Sequence, residues 1–348
     1  MNEVKTLKIH ALSTAASPLT HMRGTSGNEA VINRTRVLYG GMVCEVPTLS
    51  GNAIRHKMVR EPGAMFLVTE CGLYGRLNID QANFLFYGGS LTESAIAENL
   101  GRIAAMQELL PLYRLLGGSL KNQVLAGSLL VGMGTLVCEE NREVLERLLP
   151  EDLIVGMPEL RPCEDFVSGW QYTRGDAMKK PALLSEEAME GEDRDKSNLM
   201  IYSGQHVIPG AVFYHGFTLQ NVNRLEIGAL YAALEDWGAT DGTLGGQGRI
   251  GHGSIRTEVY ADGKSFFGDE LDMEACAREY RGHVKANRED IAAWLNEAFP
   301  AAGRPAGKKA SADKSADKNK EGRAAVSTVS QMNLQDAQES FGEASAQT

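Results

Sequence analysis

The sequence is poor in the residues that staple, anchor or catalyse. Its five cysteines, Cys44, Cys71, Cys138, Cys163 and Cys276, are odd in number and widely scattered. No C-x-x-C occurs, so the spacing suggests neither a disulfide framework nor a zinc site. The first residues, Met-Asn-Glu-Val-Lys, carry no apolar signal region. The longest apolar run, residues 124–137, is interrupted by Gly127, Gly132 and Gly134, and is too short to span a bilayer. These absences predict a cytoplasmic protein with no membrane contact. None of the seven histidines forms H-E-x-x-H, and G-x-S-x-G is missing. His10, His21, His206 and His215 sit in or beside strand-like segments and read as packing or surface residues. Excess positive charge is lacking too. The formal net charge is −10, which excludes generic coating of nucleic acid.

What the chain has is glycine, 38 residues in 348, against an average near 7%. That favours turns and close backbone approaches. Hydrophobic residues make up 43%, enough for a sizeable core. Against the acidic background, residues 23–60 form a basic island. Arg23, Arg34, Arg36, Arg55, Lys57 and Arg60 face only Glu29 and Glu45. Any nucleic-acid contact is thereby confined to one face.

Periodicity organises the rest. Residues 4–13 alternate as a strand, and 37–39 and 43–46 are short apolar runs ended by Gly40-Gly41 and Pro47. Residues 51–60 read as a short helix with Ser50 as N-cap. Ser90-Leu91-Thr92-Glu93 has capping-box form and opens a helix running to Gly117-Gly118. Further helices are expected over 142–149 and 225–237, and a helical pair over 272–299. Strand character returns over 200–219, with Pro209-Gly210 as a turn, and over 254–260. Residues 157–198 carry three prolines, a basic group and then an acidic run, and read as an exposed arm. From residue 301 the composition turns to Ala, Lys, Ser and Asp, and disorder is expected through 348. Trp170, Trp237 and Trp294 read as packing residues, although Trp170 falls in the arm.

Two segments carry binding chemistry. Residues 245–253, Gly-Gly-Gln-Gly-Arg-Ile-Gly-His-Gly, hold five glycines. Such a loop can present successive N–H groups to an anion. Arg249 adds a bidentate phosphate contact, and His252 a hydrogen bond or a stacking face. Gly246, Gly248 and Gly251 also fit the G-x-G-x-x-G dinucleotide fingerprint. That fingerprint needs a strand before and a helix after, and here the order is reversed. A loop that only turns a corner is the bland alternative. In the second segment, the helix start after Ser50 offers N–H groups to phosphate, with Arg55 and Lys57 in its first two turns. An ordinary capped helix with a solvated basic face is the bland alternative there.

Taken together and in order, these pieces resemble a known family. Val37-Leu38-Tyr39-Gly40-Gly41 followed by Val46-Pro47-x-x-Ser50-Gly51-Asn52-Ala53-Ile54-Arg55, then Val207-Ile208-Pro209-Gly210-Ala211-Val212-Phe213, then the loop 244–253, are similar to the signature of CRISPR effector backbone subunits of the RAMP superfamily. The Asn52-Ala53-Ile54-Arg55 form and the length are most like the type IV backbone protein. The resemblance implies an α+β fold: one RRM/ferredoxin-like domain, βαββαβ, over 1–300, with large insertions including a thumb-like hairpin arm near 165–198. It implies a non-enzymatic subunit that binds guide RNA (crRNA) without a cofactor and polymerises helically with copies of itself. Other effector subunits are further partners, and target nucleic acid is met through base pairing with the guide. Ser50, Asn52, Arg55 and His56 would hold the guide backbone at the helix start, with Lys57 beside them and Arg23, Arg34 and Arg36 on the same basic island. Gly246, Gly248, Arg249, Gly251 and His252 would hold it at the loop. In the thumb, Arg174, Lys179 and Lys180 would touch the backbone, and Met178 would wedge between bases. RNA-cleaving backbone subunits use an Asp shortly before the helix start, and residues 21–47 contain none. Target cleavage through Glu29, guide processing with His56 or His252 as general base, and a dinucleotide enzyme are the competing readings.

Overall fold

The computed structural model describes residues 5–26, 29–90, 100–120, 123–155, 160–174, 200–261 and 272–300, all within one compact unit, Met1–Ala301. The capping-box residues 91–93, most of the thumb (175–199, with Met178, Lys179 and Lys180) and the tail 301–348 lie outside the described residues. The fold is a mixed α+β arrangement dominated by antiparallel strands.

In chain order the strands are β1 (Lys5–Ala15), β2 (Met22–Ser26), β3 (Glu29–Ile32), β4 (Arg34–Tyr39), β5 (Met42–Leu49), β6 (Gly118–Leu120), β7 (Gln123–Leu125), β8 (Leu129–Val131), β9 (Gly134–Leu136), β10 (Val167–Arg174), β11 (Met200–Val207), β12 (Val212–Val222) and β13 (Ile255–Ala261). The main sheet has the order β13-β1-β12-β9-β5-β4, with β8 also on β12. β1 is antiparallel to both β12 and β13, and β12 is antiparallel to β8 and β9. A second sheet runs β10-β11-β3-β2.

The helices are α1 (Gly51–Ile54), α2 (Glu61–Glu70), α3 (Ile79–Ala82), α4 (Leu100–Leu109), α5 (Pro111–Leu116), α6 (Arg142–Leu148), α7 (Glu151–Val155), α8 (Arg224–Ala239), α9 (Met273–Ala286) and α10 (Arg288–Ala298). Between α1 and α2 the chain does not leave the helix. Arg55–Arg60 winds as a π-helix, so the short helix expected from the sequence extends to Glu70. The long helix expected to reach Gly117 breaks at Leu110, because Pro111 cannot continue it and instead starts α5. Leu100, expected on its apolar stripe, is exposed.

Alternation in β1 buries Leu7, Ile9 and Ala11, opposite Leu219, Phe217 and His215 of β12. Ser13, on the same face, and His10, on the other, are buried as well. His10 reaches the Tyr214 hydroxyl at 3.0 Å, and Ser13 bridges to His215 at 2.9 Å. α8 starts with a capping box, Asn223 and Glu226. It lies so close to α9 that a Cβ on Gly228 would stand 2.0 Å from the Cys276 carbonyl oxygen.

Two expectations acquire new geometry. The run 200–219 is not one hairpin. β11 joins the second sheet and β12 the first, and the chain passes between them at Pro209 and Gly210, whose φ of +89° suits glycine. The strand expected to end at Pro47 runs on to Leu49. Pro47 lies opposite Arg34 of β4, and the next two residues pair with β9 instead.

Candidate nucleic-acid interface

The helix start is built tightly. Ser50 Oγ accepts the Ala53 N–H at 3.2 Å. A side chain at Gly51 would meet the Val131 carbonyl oxygen at 2.7 Å, so only glycine lets the helix begin against β8. Asn52 is exposed. Arg55 is half-buried, its Nε has no hydrogen-bond partner among the described residues, and burial lowers its pKa. His56 stacks on Tyr87 with ring centroids 5.8 Å apart. Burial draws its pKa down, against the upward pull of Glu61. Lys57 is engaged with Glu61 at 2.6 Å.

The glycine loop leaves α8, makes a 3-10 turn at Gly248–Ile250 and enters β13. A strand follows, so the context required of a dinucleotide fingerprint is missing. Gly245, Gly251 and Gly253 take φ near +83 to +89°, and Gln247 takes +64°. The N–H groups of Gly246, Ile250, Gly251, His252 and Gly253 are used inside the fold. Those of Gln247, Gly248 and Arg249 have no backbone partner among the described residues, and Gly248 and Arg249 are exposed. Three consecutive free N–H groups beside one guanidinium can receive an anion.

Two adjacent residues tie these elements together. The Thr20 carbonyl accepts the Gly246 N–H at 2.7 Å, and its hydroxyl is 2.7 Å from His252 Nδ1. The next residue, His21, accepts the Ser50 N–H on Nε2 at 3.1 Å. That ring must therefore be neutral at Nε2, and burial lowers its pKa in agreement. Neither residue announces this role in the sequence. His21 reads there as a packing or surface histidine because its partner is 29 positions away.

A row of aromatic rings starts at the loop. His206 and Trp170 meet His252 edge-on at 5.9 and 6.3 Å. Trp170 stacks on Tyr172 at 5.3 Å, and Tyr172 on Tyr202 at 5.2 Å. Burial lowers the pKa of both His206 and His252, and each neutral ring offers a stacking face. Trp170 and Tyr172 are two apart on β10, so they share a face. The sequence carries that signal, although Trp170 alone reads as a packing residue. β10 and β11 pair in register from Val167 opposite Val207 to Arg174 opposite Met200. They form the paired base from which residues 175–199 depart. The backbone of Arg174 ends that base.

The basic island is smaller in space than in sequence. Arg34 is bound to both oxygens of Glu164 at 2.5 and 3.3 Å, and Arg36 to Glu45 at 3.4 Å. Glu164 lies far along the chain and cannot enter a local charge count. Arg23, Arg55 and Arg249 make no ion pair among the described residues. Glu29 is exposed on β3, and no cluster of three or more His, Cys, Asp or Glu among the described residues is placed to hold a metal ion. No helix among them is long and apolar enough to cross a membrane.

No protein-family model matches this chain, and no curated protein does. Among solved structures it is similar to a chain of a "Type IV-B CRISPR Complex", at 16% identity and a TM-score of 0.49, over 76% of this chain and 95% of that one. It is also similar to Csc2 of Thermofilum pendens, at 16% identity and a TM-score of 0.36, over 86% and 82%.

Proposed function

We propose that this chain is a non-catalytic backbone subunit of a CRISPR effector complex that binds the sugar–phosphate chain of a guide RNA. The observation that carries this reading is the shared anchorage of the loop and the helix start. Both motifs are bonded to the adjacent residues Thr20 and His21, and each presents an arginine without an ion pair among the described residues. Phosphate contacts of this kind fix position and carry no sequence information. Sequence discrimination then falls to pairing between guide and target.

The strand order supports an RRM-like core. β13-β1-β12 with β8 and β9 beyond corresponds to the order 4-1-3-2 of a βαββαβ unit. The helix starting at Gly51 and α8 then serve as its two helices. On this reading β10 and β11 are the root of a thumb, β2 and β3 extend its sheet, and copies of the chain follow one another along the RNA. Arg23, Asn52 and Gly251 lie on the RNA side with Gly246 and Gly248. Arg34, Arg36 and Lys57 serve chiefly to hold their carboxylate partners.

The test is RNA affinity as a function of salt. Arg55→Ala with Arg249→Ala is expected to weaken binding of a single-stranded RNA. The slope of log K against log salt should fall by about 0.7 for each phosphate that is no longer neutralised. An unchanged affinity and slope in the folded double variant would overturn the proposal.

A further inference from the structure

Behind the helix start lies a cavity of about 550 Å³, lined among others by Arg55, Arg60, Tyr87, Gly88, Gly117 and Ser119. Its volume falls in the range of small-molecule sites, roughly 300–1,000 Å³. Arg60 is the unusual member. Only 6% of its surface is exposed, and it has no carboxylate partner among the described residues. Nη2 donates to the Gly117 carbonyl at 3.0 Å, while Nη1 has no partner among the described residues. Gly88, at φ +87°, lets the guanidinium lie against bare backbone. A Cβ there would come within 3.4 Å of Nη2.

The winding of the helix brings a second cation to the same wall. Five residues along an α-helix is about 500° of rotation, which would turn Arg55 and Arg60 roughly 140° apart. Between Arg55 and Arg60 the helix is π, and i→i+5 bonding sets residues five apart nearly one above the other. Such segments recur at functional sites. The positive charge of Arg55 opposes that of Arg60 and, after burial, helps lower its pKa. Among the described residues no acidic side chain lines the cavity. Two buried guanidinium N–H groups, Arg55 Nε and Arg60 Nη1, therefore lack acceptors at one site. Buried donors are ordinarily satisfied, and a buried charge ordinarily has a counter-charge. An anion would supply both acceptors. At the rim stands Tyr87, 73% exposed and backed by His56, a free face for a base.

We propose that this cavity seats one phosphate of an RNA chain between Arg55 and Arg60, with the attached nucleoside against Tyr87. The proposal rests on the RNA-binding reading for the identity of its ligand, and on the cavity alone for its anion. The experiment has two readouts. In the first, melting of the full chain is followed with inorganic phosphate against chloride at equal ionic strength. The wild type is expected to melt higher in phosphate, because a ligand of the native state alone stabilises it. Arg60→Gln is expected to lose that rise, while Tyr87→Ala keeps it.

In the second, binding of single-stranded RNA oligomers with a 5′-hydroxyl or a 5′-phosphate is measured. Arg60→Gln is expected to weaken binding about 10- to 100-fold, the loss of a charged hydrogen bond, and the exposed Tyr87→Ala about tenfold. Equal loss for both oligomers assigns an internal phosphodiester, and greater loss for the phosphorylated one assigns a chain end. If Arg60→Gln fails to fold, the phosphate rise of the wild type and the Tyr87→Ala loss still decide. Absence of both overturns the cavity while RNA binding by the wild type leaves the general reading standing. Phosphate protection in a protein that binds no RNA upholds the anion site and overturns the RNA reading.

Discussion

Adding a single methyl group at Gly245 should separate the loop from its anchor. Its φ is +83°, and a Cβ would stand 2.5 Å from the Thr20 carbonyl oxygen. That oxygen is the acceptor for Gly246 N–H, so it cannot retreat without losing the bond. The positive φ costs an alanine about 1–2 kcal/mol. Losing the hydrogen bond costs about 1 kcal/mol more, and displaced packing adds a similar amount. Gly245→Ala is therefore expected to destabilise by about 3–4 kcal/mol. That is a fall in Tm of roughly 6–16 °C, at about 2–4 °C per kcal/mol. The control is Gly248→Ala, three residues on, where a Cβ meets nothing within 4 Å. That variant should melt within about 1 °C of the wild type and yet bind RNA more weakly, because the methyl covers the free N–H groups. Scanning calorimetry and an RNA filter assay on both variants check the pair. Equal melting of Gly245→Ala and wild type, with equal RNA affinity, would refute the anchoring argument.

Other expectations test separate parts of the molecule. His215 is fully buried, its pKa pushed down to about 4 by burial, so the folded state resists its protonation. Its contribution is fully present above the unfolded pKa of 6.5 and is lost as pH falls from there toward 4, a loss of about 3 kcal/mol in all. Urea titrations at pH 7.5 and 4.5 should show that loss, and His215→Gln should flatten it. Gly228→Ala forces α8 from the Cys276 carbonyl and should cost about 3 kcal/mol in urea unfolding. Tyr172→Ala removes a ring from the aromatic row and should weaken single-stranded RNA binding by about 1–3 kcal/mol with unchanged melting. An unchanged affinity would remove the row from the interface.

Where the sequence is informative, a local rule is in force. The alternation in β1, the helical spacing of apolar residues in α8 and the glycine loop each depend on neighbours a few residues apart. Their elements begin and end close to the positions expected. The π winding of Arg55–Arg60 is invisible in the sequence, because a helical pattern of ten residues does not distinguish i→i+4 from i→i+5 bonding. Arg60 therefore counts there as one more surface cation, when it is buried beneath Gly88. The pairing of Arg34 with Glu164 and of His21 with Ser50 depends on folding, since neither partner is near in sequence. The aromatic row is intermediate. The i, i+2 spacing of Trp170 and Tyr172 is readable, whereas Tyr202 joins only through the register of β10 with β11.

Thr20 and His21 are neighbours, so their Cα atoms are separated by a single peptide, about 3.8 Å. The glycine loop hangs from one and the helix start from the other. One peptide separates the two anchor residues, so their spacing is set by covalent geometry, and each half is joined to its anchor by a hydrogen bond. A clamp built this way has its spacing before RNA arrives. On the proposed function, such a clamp would measure the RNA chain with a fixed gauge, and any change in pitch along a filament of these subunits would be taken up between copies rather than within one.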